Sequence, residues 1–217
     1  MVEAFERFQR LFEEIGERLE ARVDIYIIGG AALLYRGLKT ATKDIDIVVS
    51  SREEFDNLEA ALLKYRFYKK NPGVGYQNMN LSHILEKDEF RIDLFEKRVC
   101  SKFSLSDGMK DRSEKISTNG NLKAFICSNE DIFLFKTMTE REGDITDCMA
   151  IASTQAPDWS MILEELKTQV RMSGQDIWVT WVGERLEILL ERKIDIPIMK
   201  EIYNLIEEFY DNLENSG

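Results

Sequence analysis

The pattern of hydrophobic and polar positions along the chain predicts helices and strands in a mixed order. Apolar residues recur at helical spacing over residues 3–20, and the apolar run Val23–Ile28 predicts a buried strand. Asp44–Val49 alternates aspartate with isoleucine at its start, which is typical of a strand with one polar face. Ser51, followed by Glu54 three residues later, predicts the N-terminal cap of the next helix.

The middle of the chain predicts two strand pairs. Strands are expected at about 80–86 and 90–95. Two further segments, 115–118 and 122–126, flank Asn119-Gly120-Asn121, a strong hairpin signal. A helix should follow Ser128 and end near Gly143, with a further short helix from Asp144.

Pro157 marks a boundary, after which three helical patterns follow at about 158–172, 175–192 and 197–213. The fold class is therefore expected to be α/β: a small mixed sheet flanked by helices, with a C-terminal helical bundle. We expect a first domain over residues 1–155 and a C-terminal helical region over 156–217 that packs on it. We expect Leu63, on the helix that Ser51 caps, to face the core, together with Trp178 and Trp181 in the apolar stripe of 175–192.

Asp44 and Asp46 are the first candidates for chemistry. Successive side chains of a strand point to opposite faces, so both carboxylates leave one face, about 7 Å apart. They would repel one another unless a cation lay between them, and Mg²⁺ or Mn²⁺ prefers such oxygen ligands. Gly29 and Gly30, after the first strand, would let the backbone approach a ligand closely. Taken alone, the aspartate pair is also compatible with an exposed strand edge.

With Arg91-Ile92-Asp93-Leu94-Phe95, these residues resemble the signature of the nucleotidyltransferase superfamily, the polymerase-beta-like fold. That signature is a Gly-Gly or Gly-Ser pair after a strand, an Asp-x-Asp strand about a dozen residues later, and a third carboxylate on a further strand. The likeness covers about residues 20–155 and is closest to the small prokaryotic branch that includes toxins of toxin–antitoxin pairs. Ala31 departs from the pattern, because many members have serine there.

The resemblance implies that Asp44, Asp46 and Asp93 are catalytic and hold Mg²⁺ or Mn²⁺. It implies transfer of a nucleoside monophosphate from a nucleoside triphosphate to an acceptor hydroxyl, with release of pyrophosphate. The acceptor is left open between a protein, an RNA 3′ end and a small molecule, and a cognate antitoxin is a candidate partner. The alternative is a catalytically inactive protein that binds a nucleotide or a partner on the same scaffold.

The resemblance also implies nucleotide-binding roles for Gly29, Gly30, Lys136 and Arg141. A lysine on the helix corresponding to that of Lys136 reaches the triphosphate in relatives. The other interpretation is a solvated helix lysine.

Lys136, Arg141, Asp144 and Asp147 together resemble the lysine, arginine and paired-aspartate pattern of the toxin-like branch. Asp147 is an accessory candidate, as an activating base or a structural anchor, and a helix-end salt-bridge cluster is the alternative for the group. Lys43 is a second accessory candidate for a phosphate contact, although the favoured interpretation is that it points to the other face with Ile45.

The net charge of −11 is spread unevenly. Residues 60–125 contain 13 Lys/Arg and 8 Asp/Glu, which gives +5, whereas the remainder has 16 and 32, which gives −16. General affinity for nucleic acid is not expected from such a chain, but its basic middle could bind a polyanion. The basic cluster Lys64, Arg66, Lys69 and Lys70 is either an acceptor-binding patch or a solvated helix end.

No apolar run approaches the ~20 residues that a membrane helix needs. The charged, amphipathic N-terminus does not resemble a signal peptide. Cys100, Cys127 and Cys148 form no CxxC pair, which argues against a disulfide framework or a structural zinc site. We therefore expect a cytoplasmic protein without a membrane partner.

Overall fold

The computed structural model describes residues 2–70 and 83–215. Contacts between residues divide the chain into two compact units, 1–128 and 129–217. The start of the strand predicted at about 80–86 lies outside the described residues.

The first unit is built on a seven-stranded mixed sheet. Its strands are β1 (Val23–Ile28), β2 (Asp44–Val49), β3 (Tyr68–Lys70), β4 (His83–Lys87), β5 (Phe90–Glu96), β6 (Glu114–Asn119) and β7 (Leu122–Ile126), in the order β3-β4-β5-β2-β1-β7-β6. β1 runs parallel to β7 and β2 parallel to β5, while the other neighbouring pairs are antiparallel. The predicted mixed sheet is confirmed, and the aspartate-bearing strand β2 lies at its centre.

The described residues of the first unit form four helices. They are α1 (Val2–Gly16), α2 (Gly29–Tyr35), α3 (Arg52–Lys64) and α4 (Asp107–Asp111). On the sheet face that carries Ile45 and Ile47, Phe8 of α1 contacts Phe90, with ring centres 6.2 Å apart, and Phe55 of α3 contacts His83 at 5.2 Å. The predicted cap is present, because the Ser51 side chain accepts a hydrogen bond from the Glu54 amide at 3.2 Å.

Helix α1 ends earlier than the pattern over residues 3–20 predicts. A Cβ placed on Gly16 would lie 2.0 Å from the carbonyl oxygen of Asn119, at the β6–β7 turn. The Asn121 amide donates to the Gly16 carbonyl at 3.3 Å. The helix therefore stops where its backbone meets the hairpin turn, a tertiary contact that hydrophobic periodicity does not report.

The second unit is helical. It contains α5 (Asn129–Thr137), α6 (Glu142–Gln155), α7 (Trp159–Ser173), α8 (Trp178–Glu191) and α9 (Met199–Asn215). Helix α5 packs against α6, α7 and α8, so the helices that the sequence analysis assigned to the first domain group here with the C-terminal ones. Among the described residues, none of the helices combines the length and the apolar character needed to cross a membrane.

Two expectations about apolar faces are wrong. Leu63 is 41% exposed and Trp181 is 37% exposed, whereas Trp178 is 5% exposed, as predicted. The buried face of α3 is formed by Phe55, Leu58, Ala61 and Leu62, and Leu63 lies beyond its edge. Trp181 lies beside the buried stripe of α8, at its margin.

Candidate active site

Asp44, Asp46 and Asp93 are brought to one face of the sheet by the pairing of β2 with β5. In this parallel pair Asp46 is opposite Asp93, and Asp44 is opposite Arg91. Paired residues of adjacent strands, about 4.8 Å apart, project from the same face. The juxtaposition of three carboxylates expected from the sequence is therefore present in the backbone pairing.

Arg91 places a cation among these carboxylates. Its Nε and Nη2 donate to Asp93 Oδ1 and Oδ2 at 2.7 and 2.9 Å, and its Nε lies 3.8 Å from Asp44 Oδ1. Asp93 is 6% exposed, so its charge is compensated mainly inside the protein. Sequence reasoning did not single out Arg91, although a residue two positions before Asp93 on a strand must share its face.

The carboxylates suit a divalent cation in their chemistry but are not yet arranged around one. As the side chains stand, no group of three or more His, Cys, Asp or Glu among the described residues could hold a metal ion. In this arrangement both oxygens of Asp93 accept hydrogen bonds from Arg91. Carboxylate oxygens on adjacent strands are the ligands that Mg²⁺ and Mn²⁺ prefer. The donor set therefore suits such an ion in its chemistry.

Gly29 is required by the position of Asp46. Its φ is +65°, a left-handed conformation that favours glycine, and a Cβ there would lie 2.1 Å from Asp46 Oδ2. The Asp46 carboxylate thus lies directly over the start of α2. Gly30 is also restricted, because a Cβ on it would approach Thr42 Oγ1 to 2.9 Å.

The loop before β2 contributes polar groups that the sequence analysis did not identify. The Thr42 hydroxyl donates to the carbonyl of Asp44 at 3.1 Å, which fixes the entry of the strand. Lys39 Nζ lies 3.9 Å from the position of a Cβ on Gly30, so a cation stands close to the glycine pair. Lys43 is exposed. No sequence motif marked Lys39, because its position depends on how the loop folds back over α2.

The second unit holds a buried charged group around Lys136. Lys136 is 7% exposed, and its Nζ lies 2.8 Å from Asp144 Oδ1 and 2.7 Å from Asp147 Oδ2. Arg141 Nε donates to the other oxygen of Asp144 at 2.7 Å, and the Thr139 hydroxyl donates to the same oxygen. Lys136 is therefore not a solvated helix lysine, and it sits in the salt-bridge cluster that was the alternative for this pattern.

Electrostatic attraction favours the charged forms of Lys136 and Asp144. Burial on its own lowers the pKa of Lys136, but the charges of Asp144 and Asp147 outweigh it, and the pKa is raised. Burial likewise opposes ionisation of Asp144, but Lys136 and hydrogen bonds hold its pKa below the ordinary value. An ammonium group has three donors, of which two are used by Lys136 within the described part of the chain. The Arg141 side chain is 61% exposed.

Arg185 supports this group from α8. Its Nε donates to the carbonyl of Thr139 at 3.0 Å, and its side chain is 15% exposed. The contact fixes the segment between α5 and α6, from which Thr139 and Arg141 reach Asp144. Sequence reasoning missed Arg185, because it lies more than 40 residues from its partner.

A mixed sheet whose adjacent central strands carry aspartates on one face, behind a glycine pair, is the architecture of a nucleotidyltransferase domain. The chain belongs to the family described as nucleotidyltransferase of unknown function (DUF6036), whose model matches residues 6–176. The predicted membership of the nucleotidyltransferase superfamily is thereby confirmed.

A similar fold is seen in the solution structure of the antibiotic-resistance factor ANT(2″)-Ia, with a TM-score of 0.50 and 13% sequence identity. The similarity covers 78% of this chain and 91% of that protein, and at this identity it supports the fold alone. A search among curated proteins gave no match.

Proposed function

We propose that this chain is a metal-dependent nucleotidyltransferase that transfers a nucleoside monophosphate from a nucleoside triphosphate to an acceptor hydroxyl. The observation that carries the proposal is the register of β2 and β5, which sets Asp46 opposite Asp93 on the face that also carries Asp44. Family membership supports the same reaction class.

In the proposed reaction the acceptor oxygen forms a bond to the α-phosphorus while the bond from that phosphorus to the bridging oxygen breaks. Pyrophosphate leaves with that electron pair, and the hydroxyl proton passes to solvent. When bound, Mg²⁺ or Mn²⁺ would neutralise triphosphate charge and lower the pKa of the hydroxyl. Asp44, Asp46 and Asp93 would hold the ion, and Gly29 leaves room for the Asp46 carboxylate.

Arg91 has a defined part in this proposal. Before substrate binds, it fixes the direction of the Asp93 carboxylate through two hydrogen bonds. Release of one or both bonds would let Asp93 turn toward the metal and the acceptor hydroxyl. The same salt bridge also favours the second candidate function, a nucleotide-binding protein without catalysis, in which Asp93 stays paired with Arg91.

Metal-dependent nucleotide binding tests the site. Calorimetry with each of the four nucleoside triphosphates, in Mg²⁺, Mn²⁺ or EDTA, should show binding that requires the metal. Asp46→Asn should abolish that dependence, because an amide cannot supply the ligand charge. Asp56→Asn is a matched control, since Asp56 lies on the exposed side of α3 and pairs with Arg52 at 2.7 Å. If no triphosphate binds more tightly with metal than with EDTA, the metal site is refuted.

Transfer distinguishes the two candidate functions. Each triphosphate, radiolabelled at the α-phosphate, is incubated with Mg²⁺, cell lysate and either the wild-type protein or Asp46→Asn. Label that becomes covalently attached to an acceptor with the wild-type protein alone supports the transferase and reveals whether the acceptor is protein, RNA or a small molecule. Metal-dependent binding without transfer to any acceptor would favour the non-catalytic protein.

We further propose a toxin-like role, on the basis of the Lys136, Arg141, Asp144 and Asp147 pattern. Induced expression in a bacterial host should arrest growth with the wild-type gene and not with Asp46→Asn. Co-expression of the neighbouring gene, if it encodes an antitoxin, should restore growth. Equal growth of both strains at equal protein levels would contradict this role.

A further inference from the structure

The first unit has a basic cleft away from the carboxylates. It is about 310 Å³ in volume and is lined by Arg18, Lys64, Tyr65, Arg66 and Lys87. These residues come from the segment after α1, the end of α3 and the end of β4. We call it the Tyr65 cleft.

Two cations lie on the aromatic ring of Tyr65. Arg18 Cζ is 4.7 Å and Lys87 Nζ is 3.3 Å from the ring centre. The Tyr65 hydroxyl is hydrogen-bonded to Glu14, which raises its pKa and holds the ring in place. Cation–π contacts of this kind hold flexible basic side chains in fixed positions, so the cleft presents a defined charge pattern.

The positive charge of the Tyr65 cleft is poorly compensated. Lys64 pairs with Glu20, but both side chains are more than half exposed, so water and salt screen the pair. Arg18, Arg66 and Lys87 form no salt bridge with a carboxylate among residues 2–70 and 83–215. These three cations therefore lack ion-pair partners in the described part of the chain, although the Glu14 carboxylate is bonded to the Tyr65 hydroxyl and the charge of Asp88 also acts on that side chain.

Helix ends explain part of the arrangement. Basic residues favour helix C-termini, and Lys64, Arg66 and Arg18 lie at the ends of α3 and α1. Lys87 lies on a strand, so no helix end accounts for it. Arg66 has a φ of 69°, at a position after a helix where glycine is favoured. An arginine there costs free energy that glycine would avoid, which supports a role for its side chain.

We propose that the Tyr65 cleft binds the phosphodiester backbone of a single-stranded nucleic acid. Basic grooves with aromatic side chains are the usual surface for such a strand. Lys87 pairs with Phe90, the neighbour of Arg91, which is opposite Asp44. Phe90 and Lys87 share the sheet face that carries Ile45 and Ile47, so the cleft lies on the face opposite Asp44, Asp46 and Asp93. It is therefore a binding surface separate from the carboxylates.

Fluorescence anisotropy with a labelled oligonucleotide of about 12 residues, as RNA or as DNA, tests the proposal. EDTA is present and nucleotide is absent, so that metal-dependent triphosphate binding cannot contribute. The test variant is Arg18→Ala/Lys87→Ala. The control variant is Lys110→Ala/Lys167→Ala, which removes the same charge at lysines paired with Asp107 and Glu164. Thermal melting of both variants checks the fold.

The wild-type protein should bind at low salt, with an affinity that falls as salt rises. In the test variant the slope of log affinity against log salt should fall by about 1.4, or about 0.7 for each lost phosphate contact. The control variant should keep the wild-type slope. Equal affinity for RNA and DNA indicates recognition of phosphates, and a preference for RNA adds contacts to the 2′-hydroxyl; both support the proposal.

Three results would overturn the proposal: no binding by the wild-type protein at low salt, an unchanged slope in the test variant, or an equal loss in the control. Selective binding of a phosphopeptide instead of both oligonucleotides would also overturn it. Metal-dependent binding of triphosphate is measured in a separate experiment, so its outcome does not decide whether the Tyr65 cleft binds nucleic acid. If the oligonucleotide does not bind, the proposed nucleotidyl transfer is not thereby refuted.

Discussion

Arg91 and Asp93, two residues apart on β5, form a salt bridge through two hydrogen bonds of 2.7 and 2.9 Å. The guanidinium thereby occupies part of the coordination that a metal ion would use. We expect Arg91→Gln to bind Mn²⁺ more tightly than the wild-type protein in the absence of nucleotide. Loss of a competing charge-assisted contact of about 1.5–3 kcal/mol corresponds to roughly ten- to a hundred-fold, measured by calorimetry.

The same variant should be less stable without metal, because Asp93 is 6% exposed and would lose its cationic partner. Added Mn²⁺ should raise the melting temperature of Arg91→Gln more than that of the wild-type protein. Arg52→Gln is the control, since Arg52 pairs with Asp56 on an exposed helix face. Weaker Mn²⁺ binding by Arg91→Gln would show that Arg91 supports the metal site instead of competing with it.

Gly29 and Asp46 permit a double-mutant test of the site's construction. Gly29→Ala should destabilise the protein for two reasons: the left-handed φ costs about 1–2 kcal/mol, and the new methyl group would meet Asp46 Oδ2. In the Asp46→Ala background the destabilisation caused by the steric clash should vanish, whereas the destabilisation caused by the left-handed backbone should remain. Urea unfolding of the wild-type protein, the two single variants and the double variant gives the free energy of unfolding of each, and hence both contributions. Equal destabilisation in the two backgrounds would mean that Asp46 does not lie against Gly29.

Alternation and glycine placement allowed the main strands and the grouping of Asp44, Asp46 and Asp93 to be predicted, because a strand fixes the face of each side chain. The hydrogen bonds and ion pairs of those side chains could not be predicted in the same way. The bond between Arg91 and Asp93 depends on competition among nearby charges, and the end of α1 depends on a distant turn. Local patterns carry little information about either.

Lys136 shows the same limit, since its helical position was predicted but its burial between Asp144 and Asp147 was not. Lys136→Met should destabilise the protein by about 3–5 kcal/mol at pH 7, because two buried carboxylates lose their cation. In the wild-type protein the pKa of Asp144 is lowered, so its contribution to stability is present above the ordinary value of 3.8 and is lost as pH falls through the folded value.

In Lys136→Met the carboxylates gain stability from protonation, so the difference from the wild-type protein should shrink as the pH falls from 7 toward 4. Urea unfolding at several pH values measures this difference. Lys167→Met, which removes a lysine 36% exposed, should show little effect at any pH. A deficit in Lys136→Met that stays constant across this range would attribute the loss to packing instead of charge.

Arg141 is the better residue for testing whether the Lys136 group contacts the triphosphate. Its side chain is 61% exposed, so Arg141→Ala should leave the fold intact, whereas replacing the buried Lys136 perturbs folding as well as binding. If Arg141 meets the β- or γ-phosphate, its loss should weaken triphosphate binding by about 1.5 kcal/mol, or roughly tenfold, and monophosphate binding much less. Lys167→Ala is the control. Calorimetry with matched tri- and monophosphates makes the comparison, and equal weakening of both ligands would place Arg141 outside the phosphate contacts.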